Sequence, residues 1–226
     1  MVEEHVIIVA GGTGSRMKNK LPKQFIVLNG KPIILHTINR FLSYNKQINI
    51  VIALQRQYFE YWKNLCKTYN FERKHQVVEA GEERYFTVKN ALEVVSSSDG
   101  IVAIHDAVRP MVSVKTISLC FEKAKAKNNC IPTVPLFDSI RKITTRKTKA
   151  LNRNNYVAVQ TPQCFGVDKI IQAYQQPYKK SFTDDASVYE AFGEKIFTIE
   201  GNFENRKITT PTDLFLAECL LKDLKD

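Results

Sequence analysis

The stretch "VIIVAGGTGSRMKNKLPKQF", residues 6–25, decides how the rest of the chain is read. A run of strand-forming residues drops into a glycine-rich turn, and Arg16 and Lys23 follow, seven residues apart. Such turns commonly receive phosphate, because glycine lets backbone amides approach an anion closely. A P-loop would need Gly-Lys-Ser/Thr at its end, and none is present. The dinucleotide fingerprint fails as well, since Met17 occupies its third glycine position. What remains is a turn on Gly11, Gly12 and Gly14 able to cradle a triphosphate, with two cations suited to charge that builds on phosphorus. The plainer alternative is a tight turn with solvated basic residues.

Outward from this stretch, strand-like and helix-like segments alternate. "HVIIVA" precedes "PIILHTINRFLSYN", where Ile34, Ile38, Phe41 and Leu42 recur at helical spacing. "INIVIAL" precedes "RQYFEYWKNLCKTY", "HQVVEA" precedes "RYFTVKNALEVV", and "GIVAIHD" precedes "VKTISLCFEKAKAK". The strand runs are nearly continuous Val and Ile, as strands covered on both faces require. Four such units predict an α/β fold: a Rossmann-like open, mostly parallel sheet with helices on both faces. Ligands of such sheets bind beyond the carboxyl ends of the strands, where the Gly11 loop, Gly81 and Asp106 all fall.

The rhythm changes after "CIPTVPLFDS". From Asp138 to Gln160 the chain is polar and basic, with Thr, Val and Ile favouring strands and "NRNN" reading as a turn, which predicts a projecting β-hairpin arm. Hairpins are marginal alone in water, so this one is expected to pack on a partner. "GVDKIIQAYQQ", "TDDASVYEAF" and "PTDLFLAECLLKDL" close the chain as helices, with Thr183 and Thr210 as the N-caps of the last two; Asp184 and Asp185 offer a metal pair but read mainly as the N-terminus of their helix.

At 226 residues the chain fits one domain with an appendage. The net charge of +10 favours anionic partners, either nucleic acid or small phosphorylated molecules. No stretch approaches a membrane span or a signal sequence. Five scattered cysteines, with no CxxC and no metal-ligand spacing, suit a reduced cytoplasmic protein, and Cys66 and Cys219 read as buried small hydrophobes. His105 has no evident catalytic partner and reads as a structural hydrogen-bonder.

Six motifs in order, "AGGTGSRM...LPKQF", "AGEERYFTV", "HDAVRP", "RNNYVAVQTPQCF", "TDDAS" and "NRKITTPTDL", resemble the 2-C-methyl-D-erythritol 4-phosphate cytidylyltransferases from Val6 to Glu218. The resemblance implies a single nucleotidyltransferase domain over residues 1–226, with a dimerisation arm at about 138–160. It implies CTP and a sugar-alcohol phosphate as substrates, Mg²⁺ as cofactor, a homodimer, and neither nucleic acid nor membrane as partner. Nucleotide contacts would come from Ala10, Gly11, Gly12, Gly14, Gly81, Glu82, Arg84 and Thr87. Asp106, Arg109, Ser139, Arg153 and Lys207 would hold the acceptor, with Asp106 nearest any metal. Catalysis would rest on Arg16, Lys23, Arg153 and Lys207. Glu82, Thr87, Ala80 and Ser139 stand where the family more often has aspartate, serine, glycine and threonine.

Three other readings compete. Ribitol-5-phosphate cytidylyltransferases share the loop and arm; Val108 leans toward them and "TDDAS" toward the erythritol enzymes. A basic RNA-binding module would use Arg141, Lys142, Arg146, Lys147 and Lys149, but no RNP-like aromatic motif accompanies them. A nucleotide sensor without catalysis would have little use for both Arg16 and Lys23.

Overall fold

In the computed structural model, which describes residues 2–12, 21–95, 99–145 and 147–223, the four β-α units follow one another as the periodicity predicts. Strand β1 (Glu4–Val9) leads through a short ribbon, β2 (Val27–Leu28) and β3 (Lys31–Pro32), to helix α1 (Ile33–Tyr44). Strand β4 (Asn49–Leu54) leads to α2 (Phe59–Thr68), β5 (Gln76–Glu79) to α3 (Arg84–Leu92), and β6 (Ile101–Asp106) to α4 (Val114–Lys127). The four strands lie parallel in the order β6-β1-β4-β5, so Val6 sits between Ile50 and Ala103, and Ile7 between Val51 and Ile104.

That register explains the unbroken apolar runs. Val6, Ile8, Ile50, Ile52 and Ala103 face one layer, built with Ile34, Ile38 and Phe41 of α1, Trp62 of α2 and Phe121 of α4. Ile7, Val51, Ala53, Val102 and Ile104 face the other, with Tyr85 and Val88 of α3 and residues from later helices. The central residues of β1, β4 and β6 are buried whichever way they point, so no polar alternation survives there.

The second half of the sheet is mixed. Strand β7 (Asn129–Pro135) is followed by β8 (Ile140–Ile143) and β9 (Thr148–Leu151), which pair with each other as a separate two-stranded sheet. This is the projecting hairpin; Ile143, in it, is 81% exposed. The "NRNN" segment turns as a 3-10 helix at Arg153–Asn155, where the Asn152 side chain accepts from Asn154 N–H at 3.1 Å. The arm is shorter than Asp138–Gln160, because β10 (Val157–Val159) rejoins the main sheet antiparallel to β7, where Thr133–Pro135 still needed partners. Strand β11 (Gln163–Gly166) then runs antiparallel to both β6 and β7. After α5 (Val167–Ala173) and α6 (Asp185–Ala191), β12 (Thr198–Glu200) adds parallel to β7, and α7 (Pro211–Asp223) ends the described chain. No helix among the described residues is long and apolar enough to cross a membrane.

Two local readings need correcting. The cap of α6 is Asp184, not Thr183: extended backbone at Asp184 lets its carboxylate accept from Ser187 N–H at 2.9 Å while Ser187 reaches back, closing a capping box. Cys219 is exposed, because α7 packs through Leu214, Ala217 and Leu221 and that residue lies off this stripe. The other cap agrees: Thr210 accepts from Asp213 N–H at 3.3 Å.

Asp213 in turn accepts from the amides of Thr209 and Thr210 and from both hydroxyls, at 2.8–3.1 Å. Burial alone would raise its pKa, but the bonds from Thr210 and Thr209 lower it to about 2, from an ordinary 3.8. The carboxylate therefore stabilises the fold fully above the unfolded-state pKa, and that contribution fades as pH falls toward 2. Asp213→Asn is expected to lower unfolding free energy at pH 7 by about 1–2 kcal/mol. Urea titrations of the two proteins should draw together below about pH 4 and meet near pH 2, and a gap that stays constant with pH would reject this account.

Candidate active site

Beyond the end of β1 the chain is pinned by two glutamines. Gln24 Nε2 donates to the Ala10 carbonyl at 2.6 Å, and Gln55 Nε2 to the Gly11 carbonyl at 3.0 Å. Gly11 lies so close to the loop after β5 that a Cβ would meet that of Ala80 at 2.6 Å. Gly81 is equally constrained, with Phe86 Cβ 2.4 Å from where its own Cβ would stand. Gly11 thus packs against the side chains of Ala80 and Thr87, and Gly81 against the start of α3 at Phe86, neither leaving room for a side chain. Gly12 is exposed, with open space around it; Gly14 and Arg16 lie outside the described residues.

Thr87 is buried and its hydroxyl accepts from Gly81 N–H at 3.1 Å and lies 3.1 Å from the Glu83 carbonyl, so it shapes the loop. Glu82 is exposed at the tip. Lys23 opens a short 3-10 turn, Lys23–Phe25, right after Pro22, and is only 9% exposed. Phe25 anchors the turn edge-on against Tyr61 at 4.9 Å, while Gln24 ties it to Ala10. The backbone of the lysine is thereby held beside the loop by the two residues that follow it in the turn.

The charged centre lies at the end of β6. Asp106 Oδ2 is 3.0 Å from Arg109 Nε and 3.2 Å from Lys207 Nζ, and Oδ1 is 3.9 Å from Arg84 Nε. Burial alone would raise the pKa of Asp106, but Lys207, Arg84 and Arg109 hold it well below the usual carboxylate range. The (i, i+3) pair is therefore one edge of a larger cluster that joins residues 84 to 207. Arg84 has further partners: its fork grips Asp185 at 2.6 and 2.7 Å. His105 is structural, as read. Its Nδ1 is 3.0 Å from Thr161 Oγ1, its Nε2 is 3.2 Å from the Arg109 carbonyl, and burial lowers its pKa to about 3.

A cavity of about 550 Å³ opens beside this cluster, lined by Arg109 and Lys207 on one side and by Phe137, Asp138 and Ile140 at the foot of the arm on the other. Ser139 is exposed at that foot. Arg153 is exposed too, and its Nη1 donates to the Phe137 carbonyl within the same arm. Asn205 is a participant that residue patterns did not reveal: its carbonyl accepts from Arg109 Nη1 at 2.8 Å, and its amide donates to the Thr161 carbonyl at 2.8 Å. Its neighbourhood in "NRKITTPTDL" was the available signal.

Among the described residues no three metal-ligating side chains come together. Asp184 and Asp185 do not form a metal pair, since the first is a helix cap and the second is spent on Arg84 and on Tyr174 OH at 2.6 Å. Asp106 offers one oxygen, Oδ1, whose ion-pair neighbour stands 3.9 Å away. This fits a cation carried in by phosphates and touched by one carboxylate, not a cage of protein ligands.

The arrangement can hold two anions at one sheet edge, one on the glycine loops and one on Arg109 and Lys207. A relative from Porphyromonas gingivalis, named 2-C-methyl-D-erythritol 4-phosphate cytidylyltransferase, is 46% identical over 221 residues, covering 97% of this chain and 98% of that protein. One of the same name from Phocaeicola vulgatus is 44% identical over 220 residues, 97% and 100% of the two chains. The crystal structure of the Francisella tularensis enzyme of that name superposes with a TM-score of 0.80 at 32% identity, over 96% of this chain and 99% of that one. A synthase structure from Anaerococcus prevotii, at 23% identity and TM-score 0.84, supports the fold alone, over 98% and 96% of the two chains. With residues 4–223 also matching the family's own sequence model, the chain belongs to the 2-C-methyl-D-erythritol 4-phosphate cytidylyltransferase family.

Proposed function

We propose that this protein joins CTP and 2-C-methyl-D-erythritol 4-phosphate to give 4-diphosphocytidyl-2-C-methyl-D-erythritol and pyrophosphate. The carrying observation is the Asp106–Arg109–Lys207 cluster, set at the same sheet edge as the Gly11 and Gly81 loops. An oxygen of the acceptor phosphate attacks the α-phosphorus of CTP, the bond from that phosphorus to the β-bridging oxygen breaks, and pyrophosphate leaves. A phosphate monoester is largely dianionic at neutral pH, so the nucleophile needs no base. The site accords with that, since its histidine is buried, neutral and hydrogen-bonded at both nitrogens.

The difficulty is bringing two anions together, and each residue is assigned to that task. The backbone from Ala10 to Gly14 cradles the triphosphate, with Lys23 and Arg16 on its phosphates; Gly81, Glu82 and Thr87 shape the base and ribose site. Arg109, Lys207 and Ser139 receive the acceptor phosphate, joined by Arg153. A divalent cation, Mg²⁺ or another, would screen the triphosphate when bound, with Asp106 the carboxylate in reach. The arm, whose exposed Ile143 lacks cover, pairs two chains into a homodimer in which Arg153 serves the neighbouring site. The five free thiols suit a reducing compartment, and we place the reaction in the cytoplasm.

Incubation with CTP, Mg²⁺ and either methylerythritol phosphate or ribitol 5-phosphate tests the reading through pyrophosphate release. Turnover is expected with the first acceptor and, for the nucleotide, with CTP far above ATP, GTP or UTP. Equal turnover with ribitol 5-phosphate would refute the acceptor and leave the chemistry standing.

A further inference from the structure

We infer that Asp185 and Arg84 form a positioning pair that fixes the carboxylate of Asp106, and through it Lys207 and Arg109, for the reaction. The inference rests on the function proposed above, in which those last three residues make up the reaction centre.

Asp185 is fully buried, in the first turn of α6, 101 residues along the chain from Arg84. Both its oxygens are used: Oδ1 accepts from Arg84 Nη1 at 2.7 Å and Tyr174 OH at 2.6 Å, and Oδ2 accepts from Arg84 Nη2 at 2.6 Å. A two-pronged grip of this kind fixes the plane of the guanidinium, not merely its charge. The remaining nitrogen, Nε, then faces Asp106 Oδ1 at 3.9 Å. Charges alternate along the row: Asp185, Arg84, Asp106, and then Lys207 and Arg109.

The order matters because Asp106 has three cations and two oxygens. With Asp185 in place, Arg84 is neutralised and held back, and Oδ2 is left to Lys207 and Arg109. Without it, a poorly hydrated guanidinium would be left unpaired, and its nearest counter-charge is Asp106. Closing that gap turns the carboxylate away from Lys207, whose ammonium is among the groups proposed to receive the acceptor. A lysine or arginine displaced by an ångström loses much of its worth in aligning two phosphates. On this inference Arg84, expected from the sequence to contact the nucleotide, acts instead through Asp106.

Three variants carry the test, Arg84→Lys, Asp185→Asn and the double Arg84→Gln/Asp185→Asn, each assayed for kcat, for KM of CTP and of the acceptor, and for thermal midpoint. Arg84→Lys keeps the charge and removes the fork; kcat should fall roughly tenfold or more with KM for CTP nearly unchanged. In the double variant Arg84→Gln/Asp185→Asn both buried charges are gone together, so the thermal midpoint should recover most of what Asp185→Asn alone loses. Its kcat should nevertheless stay roughly tenfold or more below wild type. A double variant that regains both midpoint and kcat would show a purely structural bridge and overturn the inference. So would an Arg84→Lys enzyme whose KM for CTP rises while kcat holds, since Arg84 would then be a nucleotide contact. A wild-type protein inactive with both sugar phosphates would instead remove the proposed function, and this inference with it.

Discussion

Lys23→Ala is expected to lower kcat by about 10²-fold or more, with a smaller rise in KM for CTP. The ammonium is proposed to meet charge that appears on the equatorial oxygens only as the acceptor attacks. Its placement supports a preorganised part. Pro22 precedes it, Gln24 beside it bonds the Ala10 carbonyl at 2.6 Å, and buried Phe25 closes the turn. A buried lysine on a backbone anchored this way needs less reorganisation at the moment of reaction than one on a free loop, which is where an electrostatic contribution is largest. Steady-state kinetics with saturating acceptor separates the two effects. A variant with near-normal kcat and only weakened CTP binding would reduce Lys23 to a ground-state phosphate contact.

Mixing two inactive proteins, Lys23→Ala and Arg153→Ala, is expected to restore roughly a quarter of all sites. The expectation follows from the proposed two-fold dimer in which each arm serves the other chain. Random exchange at equal amounts gives half heterodimers, and each of these would hold one doubly damaged site and one intact site. The arm is suited to such a part, since β8 and β9 pair only with each other as a sheet and Ile143 is 81% exposed. Arg153 bonds the Phe137 carbonyl at the arm's foot, so moving the arm onto a partner would carry the arginine with it. Activity of the mixture, set beside a measure of heterodimer content, is decisive: heterodimers without activity would mean that Arg153 works within its own chain.

The parallel half of the fold was legible because burial on both faces leaves one chemical signature, the unbroken Val and Ile of β1, β4, β5 and β6. The mixed half was not. Strand β11 is four residues, Gln163–Gly166, and it is a strand because a slot exists between β6 and β7, not because of its own composition. Something similar holds at the site. Asp106, Arg109 and Lys207 stood out, since charges at strand ends and in recognisable motifs are conspicuous, and the structure brings them within 3.2 Å. Asp185 looked like an ordinary acidic residue at a helix start, because its partner Arg84 lies 101 residues away. Gln24 and Gln55 have no motif at all; their amides serve single carbonyls of the loop.

The pairing of β7 has a consequence in time. Strand β7 is completed only by Val157–Val159, Gln163–Gly166 and Thr198–Glu200, all made after it. During synthesis the parallel strands are finished once Asp106 has emerged, yet β6 keeps a bare side until Gln163–Gly166 arrives. At ordinary elongation rates the stretch from Asp106 to Glu200 takes on the order of 5–20 s. Throughout that interval the nascent chain carries an unpaired strand edge beside an apolar face that the later helices have yet to cover. That edge, more than the core, is where an unfinished or truncated copy is open to association with other chains.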